Sequence, residues 1–150
     1  MTDRRQKRLE LLKRLREMSV EQARSEHVAA SAELEQRREK ADATEQRIAA
    51  LDEWAGTRVS QGAALSPEIL RQTQLFRGVE KHSLEEQRND ETQQLDVTET
   101  ARRALTARFE ELSVVERLAR RHDEHLNHEQ LRRAFVELDE AGIRKTLAKE

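Results

Sequence analysis

One proline and two glycines limit what this chain can become. Pro67 is the only proline in the sequence, and Gly56 and Gly62, two of its four glycines, lie within eleven residues of it. Glycine costs roughly 1 kcal/mol in a helix interior and proline about 3. On both sides of this stretch Ala, Leu, Glu, Arg and Gln dominate, which are strong helix formers with few breakers among them. The helix must therefore stop here, and the chain can reverse. Restart chemistry is present as well. Ser66 is a good N-cap, Pro67 suits the first helical position, and Glu68 complements the positive end of the new helix. The spacing predicts a helix over about 3–55, a loop over about 56–66 and a helix over about 67–147. Thr2 or Asp3 can cap the first.

At about 1.5 Å per residue these helices are roughly 80 and 120 Å long. Hydrophobic residues are 35 % and charged residues 39 %, with one Trp, three Phe and no Tyr. Such a chain can fill a narrow seam but not a multilayer interior. In the first helix, Leu9, Leu11, Leu12, Leu15 and Met18 form an apolar start. A 3–4 spacing then runs through Val20, Ala23, His27, Ala30, Leu34, Ala41, Ile48, Leu51 and Ala55, with Arg37 and Thr44 at seam positions. In the second helix, Ile69, Leu70, Leu75, Phe76 and Val79 form the apolar start. The seam continues through Leu84, Glu91, Leu95, Thr98, Arg102, Leu105, Phe109 and Leu112. After a phase shift, Val115, Leu118, Ala119, His122, Leu126, Leu131, Phe135 and Leu138 carry it on. Two long helices joined by a short loop pack as antiparallel neighbours. The expected fold is all-α, a long antiparallel two-helix coiled-coil hairpin forming a single domain over 1–150. Folding about residue 62 sets residue 3 opposite residue ~121, so the second helix overhangs by roughly 25 residues.

Formal net charge is −2, which argues against nucleic-acid binding. The charge is unevenly spread. Arg4, Arg5, Lys7, Arg8, Lys13, Arg14 and Arg16 make the N-terminus basic, whereas Glu85, Glu86, Asp90, Glu91, Asp96 and Glu99 make a middle stretch acidic. There is no cysteine, hence no disulfide or thiolate chemistry. No apolar run approaches the ~20 residues of a membrane span, and no signal-type segment follows Met1–Arg8, so a cytoplasmic location is expected.

No catalytic constellation is found, and a non-enzymatic role without cofactors is expected. The glycines are isolated, so there is no phosphate-binding loop. The carboxylates lie among Arg and Lys partners as ordinary helix-surface pairs. His122, His125 and His128 cluster with Asp123, Glu124 and Glu129. Two of these histidines can bind zinc only if another helix supplies further ligands, so no specific metal site is expected. Two surfaces stand out for partner binding. One is the open end of the hairpin, with Arg4, Arg5, Lys7, Arg8, Leu131, Phe135 and Leu138. The other is the tip, with Leu51, Trp54, Ile69, Leu70 and Phe76. There Leu65 and Leu75 complete either a small core closing the hairpin or a docking surface, two readings that are compatible.

The run Arg4-Arg5-Gln6-Lys7-Arg8-Leu9-Glu10-Leu11-Leu12-Lys13-Arg14-Leu15-Arg16-Glu17 resembles that of the FliJ/YscO/HrpO family. So do Glu116-Arg117-Leu118-Ala119-Arg120-Arg121 and Leu138-Asp139-Glu140-Ala141. These are the small coiled-coil stalk proteins of flagellar and virulence type III secretion systems, and the likeness spans nearly the whole chain. The resemblance implies a stalk whose termini enter the hexameric ring of the secretion ATPase and whose coiled coil reaches the export gate protein. It also implies possible binding of export chaperones, in a cytoplasmic setting at the membrane-bound apparatus. Flagellar and virulence systems both remain open. The alternative is a generic cytoplasmic coiled-coil scaffold or homodimerisation module.

Overall fold

The computed structural model describes residues 2–62 and 65–148, with side chains described from residue 4 onward. Two helices account for nearly all of it: α1, Thr2–Ser60, and α2, Pro67–Leu147. They pack against each other as the two arms of an all-α hairpin, and no strand occurs among the described residues.

The first helix runs five residues past its expected end, straight through Gly56. The residue that ends it is Gly62, whose φ of 70° lies in the left-handed region. Its N–H donates to the Val59 carbonyl at 3.2 Å, while Gln61 N–H donates to Thr57 at 3.0 Å. This is the glycine C-cap arrangement that satisfies the last carbonyls of a helix. One glycine at the right place thus suffices, and the other is tolerated inside the helix. The restart follows the sequence closely. Pro67 is the first residue of α2, and Ser66 Oγ accepts the Ile69 N–H at 3.3 Å as its N-cap.

The described chain falls into two compact units, a terminal unit of Met1–Gln22 with Thr106–Glu150 and a loop unit of Ala23–Leu105. In the loop unit, α1 offers Ala23, Ala30, Leu34, Ala41, Thr44 and Ile48, all buried. Every one was expected in the seam. Leu51, Ala55, His27 and Arg37 are half-buried on the same face. The facing side of α2 differs from expectation. Gln94 is buried at 5 % exposure, while its neighbour Leu95 is 41 % exposed. Arg102 also turns outward, and Ala101 takes the inner position. Gln94 fits because Ala30 across from it is small. The amide side chain crosses the gap and donates to the Ala30 carbonyl at 3.1 Å, and Thr98 Oγ1 donates to the same oxygen at 3.2 Å. Leu95, at that place, would have no such partner.

Ion pairs brace the edges of this seam. Arg77 meets Asp52 at 2.6 Å, Arg47 meets Glu80 at 3.2 Å, and Arg38 meets Glu91 at 3.2 Å. Arg88 bridges Asp42 and Glu45 on α1 and Glu91 on its own helix. The paired residue numbers add to between 127 and 133, as 47 with 80 and 45 with 88 show. The register therefore lies later along α2 than folding about residue 62 would give. The expected small core around Trp54 does not form among the described residues. Leu51 and Leu65 are half-buried, but Trp54, Ile69, Leu70, Leu75, Phe76 and Val79 are all exposed.

In the terminal unit the seam is thinner. Val20 and Val115 are buried, and Leu9, Leu112, Ala119, His122 and Leu126 are half-buried. Lys13 and Arg16 occupy α1 positions on that same inner face, and Arg16 reaches Glu111 at 2.6 Å. The rest of the expected apolar start faces away. Leu11, Leu15 and Met18 are 53–68 % exposed, and Leu12 is exposed as well. At about 100° per residue their stripe lies roughly 160° round the helix from Leu9, Lys13, Arg16 and Val20. Phe109 and Leu118, both expected in the seam, are also exposed.

Candidate interaction surfaces

Three features of the terminal unit define its surface chemistry. The first is a groove of about 890 Å³ between the start of α1 and the latter part of α2. Arg4, Arg5 and Arg8 line one side, Leu118, His122, His125, Leu126 and Glu129 the other, and Leu9 also contributes. The arginines belong here because helix period places residues 4, 5 and 8 on one side of α1. Lys7, the fourth expected basic residue, is exposed on the same helix but does not line the groove.

The second feature is the end of α2. From residue 127 to 147 every position is exposed. Leu131, Phe135 and Leu138 follow a 4–3 spacing there and are 57–67 % exposed. They do not continue the inner seam as expected. Their stripe lies roughly 145° round the helix from Leu112, Val115, Ala119, His122 and Leu126. The third feature is the outward stripe of α1, Leu11, Leu15 and Met18. The sequence pattern showed these leucines but not which way they face, because Leu9, Leu11 and Leu12 fit two different faces.

The histidines separate. His122 is half-buried and its Nε2 has no hydrogen-bond partner among the described residues. His125 is exposed, with Nδ1 3.8 Å from Glu129 Oε1, and His128 is exposed too. No group of three or more His, Asp or Glu among the described residues is arranged to hold a metal ion.

In the loop unit, the Arg58 guanidinium lies 5.3 Å from the centre of the Trp54 ring, a cation–π contact on the helix surface. A shallow pocket of about 350 Å³ adjoins them, with Ala50, Glu53, Thr57 and Gln61. Ile69, Leu70 and Phe76 are exposed separately along α2 and do not line it. The electrostatics of this unit are those of braced ion pairs. The Arg77 hydrogen bond holds the Asp52 carboxyl below its ordinary range, and Arg88, then Arg38, do the same for Glu91. Arg88 is in turn held further above its ordinary value by Glu91, Asp42 and Glu45. No helix among the described residues is long and apolar enough to cross a membrane. Compared with protein-family models, curated proteins and solved structures, the chain has no match.

Proposed function

We propose that this chain is a non-enzymatic stalk and interaction protein of a type III secretion export apparatus, virulence or flagellar. In this reading it links the hexameric secretion ATPase to the export gate on the cytoplasmic side, with export chaperones as a further candidate partner. The observation that supports it is the end of α2. A helix with Leu131, Phe135 and Leu138 exposed over 21 consecutive open positions needs a partner to cover them. Basic residues at the start of α1, in the same unit, add charge that steers an acidic surface toward it. The resemblance of the Arg4–Glu17, Glu116–Arg121 and Leu138–Ala141 runs to the FliJ/YscO/HrpO stalk proteins supplies the kind of partner.

The two contributions separate in kinetics. Exposed charges govern encounter, and apolar anchors govern residence. Arg4→Glu with Arg5→Glu should slow association with the cognate ATPase and change its salt dependence. Phe135→Ala with Leu138→Ala should raise the dissociation rate, each anchor being worth roughly 1–3 kcal/mol. Surface plasmon resonance on the purified ATPase reads both. Unchanged affinity in the second variant, with helicity intact, removes this end as the docking site and turns attention to Trp54 and Phe76.

A further inference from the structure

The groove of the terminal unit joins two kinds of surface that the helix pair does not itself use. Its α1 side is cationic, with Arg4, Arg5 and Arg8, while Leu9, Leu118 and Leu126 give it apolar lining. Leu118 is 48 % exposed, so that lining is open. Elsewhere arginines are engaged, as Arg16 is by Glu111, Arg77 by Asp52 and Arg88 by Asp42. Arg4, Arg5 and Arg8 have no ion-pair or hydrogen-bond partner among the described residues. Arg4 and Arg8 also stand four apart on one helix, where like charges repel. The single carboxylate lining the groove, Glu129, lies on the α2 side, 3.8 Å from His125. The wider setting has the same sign. Residues 4–13 and 115–133 carry ten Lys and Arg against five Asp and Glu, in a chain of net charge −2.

We propose that this groove binds an acidic peptide segment of another protein, one that also carries large apolar side chains. Charge complementarity selects the acid. Three guanidinium groups offer forked donors that match carboxylates two bonds at a time. The leucines select the rest of the ligand. A bare phosphate would leave Leu9, Leu118 and Leu126 in water, whereas a Leu or Phe of the peptide covers them. The groove, at about 890 Å³, has room for several side chains. Burying the apolar anchor also excludes water beside the arginines, which strengthens each pair beyond that of an open surface. Glu129 repels an acid on the α2 side, so the peptide's carboxylates lie toward α1. This site is separate from the stripe of Leu131, Phe135 and Leu138, none of which lines the groove. It shares Arg4 and Arg5 with the proposed function but stands on the groove alone, whatever the partner's identity.

Fluorescence anisotropy with the full chain tests it. The probe is a labelled, end-blocked peptide, Asp-Glu-Leu-Phe-Glu-Asp. Two controls replace its acids by Asn and Gln, or its Leu and Phe by Ser, and each should bind roughly tenfold more weakly. Arg5→Gln with Arg8→Gln, and separately Leu118→Ser, should each weaken the parent peptide by a similar factor, with helicity by circular dichroism unchanged. Glu129→Gln should tighten it about two- to threefold, a gain that damage to the fold would not give. Phe135→Ala with Leu138→Ala should leave it unchanged, so failure of this site and failure of the ATPase reading fall on different residues. No binding of the peptide, equal binding of the serine control, or equally tight competition by inorganic tripolyphosphate or a single-stranded RNA overturns the proposal. So does indifference to Leu118→Ser and Glu129→Gln together, which would reduce the effect to diffuse charge.

Discussion

The two units solve the same packing problem with opposite materials. In the loop unit α1 presents small side chains, Ala23, Ala30 and Ala41, and α2 answers with polar ones, Gln94 and Thr98. Large apolar residues there, such as Leu95 and Val97, are left outside. In the terminal unit the inner face holds Val20 and Val115 but also Lys13 and Arg16, and the apolar surplus lies outside as ordered stripes. The difference separates two uses of a helix pair. A seam of alanine and glutamine contributes little hydrophobic energy but fixes alignment, since Gln94 and Thr98 share one carbonyl acceptor. Outward heptad stripes contribute nothing to the isolated pair and are suited to another helix.

Removing apolar volume gives the largest contrast. Leu34→Ala, at a buried position of the loop unit, should lower stability by about 2–3 kcal/mol, as core truncations do. Phe135→Ala, on the exposed stripe, should leave the unfolding free energy of the monomer within about 0.5 kcal/mol. Urea unfolding followed by circular dichroism measures both. Equal losses would erase the distinction between the units.

The next effect is on alignment. Gln94→Leu removes a buried amide and should change stability by less than about 1.5 kcal/mol in either direction. Its expected signature is a loss of unique register. Spin labels at positions 38 and 91, which face each other in the parent, should give one narrow distance there and a broadened or double distribution in the variant. A single narrow distance in Gln94→Leu would show that the ion pairs alone fix the register.

The smallest effect concerns acid. Asp52 and Glu91 titrate below their ordinary values of 3.8 and 4.5 because arginines hold their charged forms. A carboxyl whose pKa is lower in the folded state contributes stability at pH above its unfolded value. That contribution fades as pH falls through the folded value. The melting temperature should thus decline below about pH 4.5, and Arg77→Gln should flatten part of the decline. Since these groups are open to solvent, the change is modest, and high salt should shrink it further. A slope identical in Arg77→Gln and parent would detach Asp52 from the acid response.

The sequence revealed unequal parts of this molecule. The α1 seam from Val20 to Ala55 was legible because a 3–4 spacing over ten turns admits one inner face. The restart at Ser66 and Pro67 was legible because capping is local chemistry. The α2 seam was legible in Leu84, Thr98, Leu105 and Leu112, but not in Gln94. Whether a glutamine or the adjacent leucine turns inward depends on the size of the residue opposite, which is Ala30, sixty-four positions away. The extent of α1 was misjudged because Gly56 and Gly62 look alike in sequence, yet only Gly62 has the left-handed backbone. Among the candidate surfaces, Arg4, Arg5 and Arg8 do line one groove, and Leu131, Phe135 and Leu138 are exposed together. Trp54 and Phe76 were read as members of one apolar tip. Trp54 instead lies against Arg58, and Phe76 is exposed on the other helix.

The Gly62 turn also sets an order in time. Contacts near it close short loops, 25 residues from Asp52 to Arg77 and 33 from Arg47 to Glu80. Those further away close longer ones, 53 residues from Arg38 to Glu91 and 95 from Arg16 to Glu111. Loop-closure entropy rises with that separation, so pairing nucleates beside the turn and zips toward the termini. On the ribosome the asymmetry is sharper. At roughly 5–20 residues per second, Arg16 waits on the order of 5–20 s for Glu111 to be made. Throughout that interval Leu11, Leu15 and Met18 travel on an unpaired helix. The nascent chain therefore shows one of its two exposed apolar stripes first and completes the unit that carries it last.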